Sequence, residues 1–481
     1  MTELAEGAAT GTSGARPTYP FLVTSRDILA IALPASVAFI TEPLVGIVDI
    51  TVIGRLGDAA LLGGLVLGAL AFDVIFSLAY FLRLGTAGLT AQAVGARDPH
   101  DGLIHLGRAI AVALVLGVLM IVLASPLLWL IAKVLAPAPG VDAALATYFH
   151  VRIWSAPFSL VNFALLGWFY GRANARTGMS LQILIHGVNI VLNLVFVFGL
   201  GWGVTGTAFA TVCGHAAAAL VGLYLVVRHF GGVRRLIGLI APAELFDPVA
   251  LRRMFGLSRD ITIRTLALMG SYTYFAAQGS RAGEITLSGN AVLMNMMMVS
   301  SFFLDGLAQA AEQICGKAVG ANWAPAFDRA VKLSLGWGVV VGGGLALVWF
   351  AGGPALIDIM TTSEPVRSQA RGFLWLAALT AFTGMPAFVM DGVVTGATLN
   401  VVMRNGMLLA LALFLVAALL LQPPFGNAGL WAALHIFLIG RGVILWLGME
   451  RRKPGLFSPP HPHGELVEPP SAEPRPSTSS G

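Results

Sequence analysis

An acidic residue lies inside the first long apolar segment of the chain. Asp49 belongs to residues 43–57, which read PLVGIVDITVIGRLG. An ionised side chain near the centre of a bilayer costs roughly 2.5 to 3.5 kcal/mol, so a retained one indicates a functional site. Asp49 is therefore predicted to bind a proton or another small cation. The alternative is a purely structural hydrogen bond to a neighbouring helix.

Four more polar residues are predicted to share this site. Glu42 lies seven residues before Asp49, and seven steps of about 100° return a helix to within about 20° of the same face. His186, Asn189 and Asn193 form a polar stripe at spacings of three and four. The amides are predicted to hold the carboxyl group, and the imidazole to join a proton relay because it titrates near neutrality. Simple packing is the alternative for Glu42 and His186.

The second half of the chain carries polar residues of its own. Asp305, Gln309 and Glu312 repeat the same-face spacing, and Asp391 lies in a later apolar segment. They are predicted to form a second ion site. The alternative places them at the cytoplasmic ends of their helices, solvated or paired with Lys317.

An apolar stretch in the same half is predicted to contact the substrate. Met294, Met297 and Met298 precede Phe302. Methionine is flexible and polarisable, so a surface of this kind adapts to ligands of varied shape. Packing in the protein core is the alternative.

The composition places all these residues in a membrane. Of 481 residues, 57% are hydrophobic and 11% are charged, and the mean hydropathy is +0.82. A water-soluble domain does not have this composition. Because a membrane-spanning helix needs about 20 residues, the chain is predicted to be an all-α polytopic protein with twelve such helices. They begin near residues 28, 60, 103, 146, 179, 205, 255, 286, 330, 370, 403 and 427.

Repeated motifs predict two related halves. Residues 93–96 (AVGA) recur as 318–321, Gly171 has a counterpart in Gly396, and residues 203–206 resemble 426–429. A six-helix unit repeated in one orientation gives two lobes related by a pseudo-two-fold axis along the membrane normal. The substrate is expected in the cleft between them.

The predicted domain boundaries follow from polar interruptions. The N-lobe covers residues 26–229, a linker covers 230–247, and the C-lobe covers 248–450. Residues 1–25 are predicted to be an uncleaved cytoplasmic tail, and 451–481, rich in Pro and Ser, a disordered cytoplasmic tail. Arg and Lys concentrate in one alternate set of loops, which places both termini in the cytoplasm by the positive-inside rule.

Several classes of function are not favoured by the sequence. The net charge of +5 is spread over short loops, so no nucleic-acid partner is predicted. Cys213 and Cys315 have no metal or redox spacing, and no metal site is predicted. Nucleotide-binding, metalloprotease and hydrolase motifs are missing from the sequence, so no enzyme activity and no organic cofactor are expected. The predicted partners are the lipid bilayer and a small-molecule substrate, and a monomer is expected.

Several segments resemble the multidrug and toxic compound extrusion (MATE) family. They are residues 43–57, 88–96 (GLTAQAVGA) and 304–308 (LDGLA). Residues 290–294 (NAVLM), 396–398 (GAT) and 403–405 (MRN) are similar to its DNA-damage-inducible protein F branch. The resemblance covers about residues 26 to 450. It implies two six-helix lobes that open alternately to each side of a bacterial cytoplasmic (inner) membrane. It also implies export of organic cations or other amphipathic drugs in exchange for protons or Na⁺.

The resemblance also implies roles for particular residues. Asp49 matches the protonation site of that branch. The family commonly pairs an Asn with an Asp four residues later, and here the pair is Asn189 and Asn193. The missing carboxylate favours protons over Na⁺ as the coupling ion. We hypothesise that Glu42 partly replaces it.

Other functions stay open at this point. A flippase for a lipid-linked precursor would need a strongly basic cavity, and the apolar segments hold few basic residues beyond Arg83, Arg264 and Arg441. Export of an organic-acid metabolite is a further alternative. A membrane-embedded transferase is the third class, and the absence of clustered His, Asp or Ser in the sequence disfavours it.

Overall fold

The computed structural model describes residues 17–457, which are helical almost throughout and contain no strand. In chain order the helices are α1 (Ser25–Gly54), α2 (Ala59–Leu78), α3 (Phe81–Gly95), α4 (Pro99–Val122), α5 (Ala124–Leu135), α6 (Pro139–Arg152), α7 (Ala156–Gly171), α8 (Ala175–Leu194), α9 (Gly203–His229), α10 (Val233–Leu239), α11 (Pro242–Leu245), α12 (Pro248–Arg281), α13 (Glu284–Gly320), α14 (Ala324–Met360), α15 (Glu364–Gly396) and α16 (Asn400–Arg452). The all-α class is confirmed.

The helices account for twelve membrane crossings. Ten helical stretches of the described chain are long and apolar enough to span a bilayer. The 34-residue α12 is long enough but more polar. The 53-residue α16 is long enough for two crossings and is kinked at Gly426, just after Pro423 and Pro424. The predicted segments near 403 and 427 are therefore the two arms of one kinked helix.

Some predicted segments are less regular than expected. The segment beginning near 60 is divided into α2 and α3 at Ala79 and Tyr80, and the one near 146 into α6 and α7 by a 3₁₀ turn, Ile153–Ser155. A five-residue π-helical turn, Val195–Gly199, continues α8. The interval 230–247, predicted as a linker, contains the short helices α10 and α11.

Side-chain caps fix where several helices begin. The Asp27 carboxylate accepts a hydrogen bond from the Thr24 backbone N–H (2.8 Å), and the Thr24 hydroxyl caps Asp27 in return at the start of α1. Asp58 caps α2 by accepting from the Ala60 N–H (2.8 Å), and Asp247 caps α12. These bonds satisfy N–H groups that would otherwise be unpaired at a helix start.

The helices form two lobes, the N-lobe (α1–α9) and the C-lobe (α12–α16). Helix α3 of the N-lobe crosses α13 of the C-lobe at a pair of glycines. A Cβ atom placed on Gly95 would lie 2.0 Å from the Lys317 carbonyl oxygen, and one on Gly320 would lie 1.9 Å from the Gln92 carbonyl oxygen. The two glycines are 225 residues apart in the chain, and so are Gln92 and Lys317, which supply the two carbonyl groups. This reciprocal contact between α3 and α13 marks the axis that relates the two lobes.

The same offset recurs inside each lobe. A Cβ on Gly171 would lie 2.5 Å from the Ala87 carbonyl oxygen, and one on Gly396 would lie 2.0 Å from the Glu312 carbonyl oxygen. The loops that follow match as well, because Arg97 and Asn322 have φ of 57° and 51°, and Ala173 and Thr398 have φ of 58° and 53°. The predicted pair of related lobes is thus present in the backbone.

Close contacts between the lobes gather at one end of the bundle, where α3 and α13 end. A Cβ on Gly88 of α3 would lie 2.7 Å from the Thr395 carbonyl oxygen of α15, and one on Gly306 of α13 would lie 2.6 Å from the Ala32 carbonyl oxygen of α1. Close backbone packing of this kind requires small residues. We call this region the closed end.

An extended arm, residues 17–24, lies across the closed end. The Tyr19 backbone N–H donates to the Ala321 carbonyl (2.9 Å), and the Arg97 guanidinium lies 4.5 Å from the centre of the Tyr19 ring. Arg329 Nε donates to the Val23 carbonyl (2.6 Å). The arm thus joins a loop of the N-lobe to α14 of the C-lobe.

Candidate functional site

Asp49 forms the centre of a buried hydrogen-bonded cluster in the N-lobe. Asn193 Nδ2 donates to Asp49 Oδ1 (2.6 Å), and the Thr207 hydroxyl donates to Asn193 Oδ1 (2.9 Å). Asp49 is 9% exposed, and Asn193 and Thr207 are fully buried. The cluster therefore connects α1, α8 and α9 through a single carboxylate, and we call it the Asp49 cluster.

Asn189 belongs to the same network one step further away. Its amide nitrogen donates to the Thr211 hydroxyl (2.8 Å), which donates to the Thr207 carbonyl (3.0 Å). Helices α8 and α9 approach closely at Gly214, where an added Cβ atom would lie only 2.6 Å from the Ile185 carbonyl oxygen. The structure thus brings both predicted asparagines towards Asp49, although only Asn193 contacts it.

The sequence reasoning missed Arg152. This residue, at the end of α6, lies within electrostatic reach of Asp49 and Asp73. Its guanidinium carbon lies 5.2 Å from the ring centre of Phe72 and 5.6 Å from that of Phe76, which is cation–π distance. Its position inside the predicted segment that begins near 146 was a usable signal, because an arginine there needs a partner.

Glu42 does not join the Asp49 cluster. Its electrostatic partners are Arg83 and Asp73, and no hydrogen bond among residues 17–457 joins it to Asp49 or Asn193. The expectation that both acids face one cavity fails because seven residues advance a helix by roughly 10 Å. The two carboxylates therefore meet different neighbours.

His186 is half-buried on α8 but has no hydrogen bond to the Asp49 cluster within the described residues. Its electrostatic neighbour is His215 of α9, whose backbone carbonyl accepts from Asn162 Nδ2 (2.9 Å). A direct relay from His186 to Asp49 is not formed in this conformation.

A cavity of about 430 Å³ lies between the two lobes, and we call it the central cavity. Both lobes contribute to its walls, which contain five acids and three arginines. These charged residues are Glu42, Asp73, Arg83, Arg264, Asp305, Glu312, Asp391 and Arg441. The predicted C-lobe residues Asp305, Gln309, Glu312 and Asp391 all line it, so they do not lie in solvent at the helix ends.

Asp391 is held by two arginines. Arg264 of α12 and Arg441 of α16 both pair with its Oδ2 atom. Arg441 is 1% exposed, and Arg264 and Asp391 are also largely buried. This pairing leaves Asp391 poorly suited to bind a metal cation. The structure therefore has an ion-pair cluster around Asp391, where the sequence predicted part of a second ion site.

Arg83 forms a second charged group in the central cavity. It donates to the Tyr80 hydroxyl and to Gln309 Oε1 (3.1 Å), while Gln309 Nε2 donates to Glu312 Oε2 (3.1 Å). Lys317 is not a partner of Glu312 here, because its ammonium lies 4.4 Å from the centre of the Phe21 ring in the arm.

Asp305 lies between these groups. It is within electrostatic reach of Arg83, Arg264 and Arg441. These arginines come from three helices and both lobes, so one aspartate is close to every arginine of the central cavity.

The predicted apolar contact surface is mostly packed elsewhere. Phe302 lines the central cavity. Met297 is buried in the C-lobe core and Met294 packs against that core, while Met298 is 53% exposed. Of these four residues, which spacings of three and four keep near one side of α13, Phe302 alone lines the central cavity.

Comparison with known proteins identifies relatives over most of the chain. The family model MatE matches residues 34–195 and 262–419. DNA damage-inducible protein F of Escherichia coli is 34% identical over 88% of this chain and 92% of its own length. Multidrug export protein MepA of Staphylococcus aureus (strain MRSA252) is 22% identical over 85% and 90%.

Solved structures show the same fold. A MATE protein in its straight conformation superposes with a TM-score of 0.81 at 18% identity, covering 90% of this chain and 96% of the other. A MOP superfamily transporter from Pyrococcus furiosus, described as having a binding pocket of reverse polarity, gives 0.79 at 17% identity with the same coverage. The match to the family model over most of the chain, together with the relative at 34% identity, shows that the chain belongs to the multidrug and toxic compound extrusion (MATE) family.

Proposed function

We propose that this chain exports organic cations or other amphipathic drugs in exchange for protons, and that Asp49 is the residue that binds the coupling proton. As a MATE protein, the chain is a multi-pass membrane transporter for small molecules and not an enzyme. The observation that carries the proposal is the bond between Asp49 and Asn193, because it joins α1 to α8 through a group that can change charge.

Protonation of Asp49 changes the contact between α1 and α8. An ionised carboxylate accepts a charge-assisted hydrogen bond from the Asn193 amide, and a neutral carboxyl group accepts a weaker one. Helix α1 contains Pro34 and Pro43, each of which removes a backbone hydrogen bond and permits bending. Proton uptake therefore favours an arrangement in which α1 bends away from α8.

Coupling follows if the proton and the substrate prefer opposite conformations. A ligand shifts a conformational equilibrium only by its difference in affinity between the two states. The central cavity holds the substrate in this scheme, and its volume is within the usual range for small-molecule sites. We place the closed end in the cytoplasm, since the loops there belong to the Arg- and Lys-rich set, which makes this conformation outward-facing.

The single carboxylate of the Asp49 cluster favours a proton over Na⁺ as the coupling ion. The positive charge of Arg152 lies near Asp49 and opposes the binding of either cation there. A proton needs only one carboxylate oxygen, whereas a sodium site would gain from a second carboxylate. No cofactor beyond the coupling ion is proposed, and the chain is proposed to act as a monomer with both termini cytoplasmic.

A flippase for a lipid-linked precursor is the second candidate. The observation in its favour is that Arg83, Arg264 and Arg441, which seemed too few in the sequence, meet in one cavity. The five acids in the same cavity oppose it, because they would repel a pyrophosphate. Drug export therefore stays the preferred proposal.

Reconstitution of the purified chain in liposomes tests the proposal. We expect efflux of a fluorescent organic cation under an imposed pH gradient, no efflux under a Na⁺ gradient, and loss of proton-driven efflux in Asp49→Asn. Asp142→Asn, at an exposed acid in the first turn of α6, is the matched control. Transport that is driven by Na⁺ would refute proton coupling, and proton-driven transport that persists in Asp49→Asn would refute the role of Asp49.

A further inference from the structure

Arg152 lies in the wall that separates the Asp49 cluster from the central cavity. Helix α6, which ends at this residue, packs between α2 and α9. On one side, α2 carries Asp73, which lines the central cavity. On the other side, α9 carries Thr207, which belongs to the Asp49 cluster. The positive charge of Arg152 therefore acts on both sites.

The guanidinium group of Arg152 has no carboxylate at ion-pair distance among the described residues. Its Nη1 atom donates to the Ser155 hydroxyl, and its carbon atom lies 5.2 Å from the ring centre of Phe72 and 5.6 Å from that of Phe76. Phe76 also lines the central cavity. Aromatic rings and a hydroxyl group bind a guanidinium more weakly than a carboxylate does, so these contacts hold Arg152 only loosely in one position.

Two acids compete for this charge. Asp49 of α1 and Asp73 of α2 are both within electrostatic reach of Arg152. The other titratable groups that face it are Tyr148 of its own helix and His215 of α9. Neither of these carries a negative charge near neutral pH, so neither competes with the acids. The protonation state of one acid therefore decides how strongly the other attracts the guanidinium.

We propose that Arg152 is a positioning residue that makes a proton on Asp49 and a cation in the central cavity oppose each other. While Asp49 is ionised, it attracts Arg152 and leaves the Asp73 carboxylate free to hold a cationic group. When Asp49 takes up a proton, Arg152 turns to Asp73, cancels its charge and lowers the affinity of the central cavity for the cation. In the outward-facing conformation, this releases the substrate to the side from which the proton came.

The inference deepens the proposed function and rests on it for two points, the proton site at Asp49 and a cationic substrate. It adds a link that the hydrogen bond from Asn193 does not supply, because Asn193 does not line the central cavity. Glu42, the acid near Asp73, is within electrostatic reach of Arg83 and keeps its charge when Arg152 turns. The expected effect is therefore weaker binding of the cation and not its complete loss.

Dye binding at a single alkaline pH, where Asp49 is ionised, tests the proposal while the other acids stay in one state. Ethidium, a fluorescent cation whose charge does not change with pH, is titrated by fluorescence anisotropy against the purified full chain in lipid nanodiscs, without any gradient. Asp49→Asn imitates the protonated acid. We expect this substitution to weaken ethidium binding at least about fivefold, the lower end of the usual coupling between two sites.

A double-mutant cycle assigns this effect to Arg152. In the Arg152→Gln background, Asp49→Asn should change the ethidium affinity by about twofold or less, the range expected for independent sites. Arg152→Lys keeps a mobile positive charge and should preserve the fivefold effect. Arg176→Gln, at an exposed arginine of α8, is the matched control and should also preserve it.

Asp73→Asn gives a second background for the same test. Asp49→Asn should again change the affinity by about twofold or less, because Arg152 then has no second carboxylate to which it can turn. This background keeps the test decisive if Arg152→Gln fails to fold.

The outcomes separate this inference from the proposed function. Direct attraction between Asp49 and the dye would give an undiminished effect in Arg152→Gln or Asp73→Asn, and that result would overturn the inference. No ethidium binding by the wild type, no effect of Asp49→Asn on it, or loss of the effect in Arg152→Lys would overturn it as well. Because the titrations need no gradient, Arg152-dependent coupling without proton-driven efflux would reject the antiport proposal alone.

Discussion

The Asp49 cluster and the central cavity use polar groups in opposite ways. In the Asp49 cluster, one carboxylate is held by a neutral amide, which a hydroxyl group holds in turn, with Arg152 at a distance. In the central cavity, arginines and carboxylates pair directly, as around Asp391. Neutral donors adapt to a carboxyl group that gains a proton, whereas ion pairs fix the charge of their members. The first region is therefore suited to coupling and the second to recognition.

The duplicated backbone makes this contrast sharper. The glycine contacts recur at an offset of 225 residues, but at that offset Tyr274 stands where Asp49 does and Ala418 where Asn193 does. The C-lobe instead buries a neutral group in which Asn290 and Asn427 exchange hydrogen bonds (2.8 and 2.9 Å). Duplication preserved the packing of the helices, while at these equivalent positions the N-lobe alone carries an acid.

The largest expected effect comes from neutralising one acid in each region, Asp49 in the Asp49 cluster and Asp305 in the central cavity, in separate variants. Asp49→Asn should reduce proton-driven efflux to the level of protein-free liposomes and leave substrate binding measurable, because the neutral amide cannot exchange a proton. Asp305→Asn should weaken substrate binding and keep the pH dependence of efflux. Initial efflux rates at a series of external pH values, with dye titrations alongside, measure both. If Asp305→Asn also removed the pH dependence, coupling and recognition would not be separate.

A methyl group at the lobe crossing should have the next largest effect. Gly320→Ala places a Cβ 1.9 Å from the Gln92 carbonyl oxygen, so the closed end must open. Overpacking costs about 1–3 kcal/mol, which is roughly 5- to 150-fold in the population of the closed state. Electron–electron distance measurements between spin labels at positions 96 and 325, which are exposed and leave Arg97 in place, report this opening.

Gly336→Ala is the matched control for the crossing, because a Cβ there meets no heavy atom within 4 Å. A closed end that is unchanged in Gly320→Ala would show that this contact does not control the opening of the lobes. Binding of the fluorescent organic cation should weaken together with the opening, since both lobes form the central cavity.

Loss of one hydroxyl in the Asp49 cluster should have a smaller effect. Thr207→Val leaves Asn193 Oδ1 without its 2.9 Å donor, at a cost of about 1–3 kcal/mol. We expect lower thermal stability and a shifted pH dependence of efflux, with unchanged binding affinity for the fluorescent organic cation. Thr205→Val, two residues earlier and partly exposed, is the control. A change in that binding affinity would mean that the Asp49 cluster and the central cavity act as one site.

The sequence was sufficient for the helices and the duplication, because apolar length and glycine spacing are local signals. It was sufficient to predict that Asn189 and Asn193 lie towards Asp49, because a helical stripe shows which residues share a face. It was insufficient for Arg83, Arg264 and Arg441, which are far apart in the chain and meet only when the lobes pack together. The prediction that Glu42 shares a site with Asp49 failed for a related reason. The helical phase gives the direction of a side chain but does not show which neighbouring helix it meets.

The arm should have the smallest effect of those considered. Tyr19→Ala removes the cation–π contact with Arg97 but keeps the backbone bond from residue 19 to the Ala321 carbonyl. An exposed contact of this type contributes about 0.5–1 kcal/mol, so the closed end should open roughly two- to fivefold more often. The same spin-label distances measure this change. In the proposed antiport the proton prefers one of the two conformations, so this small opening should also shift the pH dependence of efflux slightly. An unchanged pH dependence in Tyr19→Ala, together with a measured opening, would show that opening of the lobes and protonation of Asp49 are not linked.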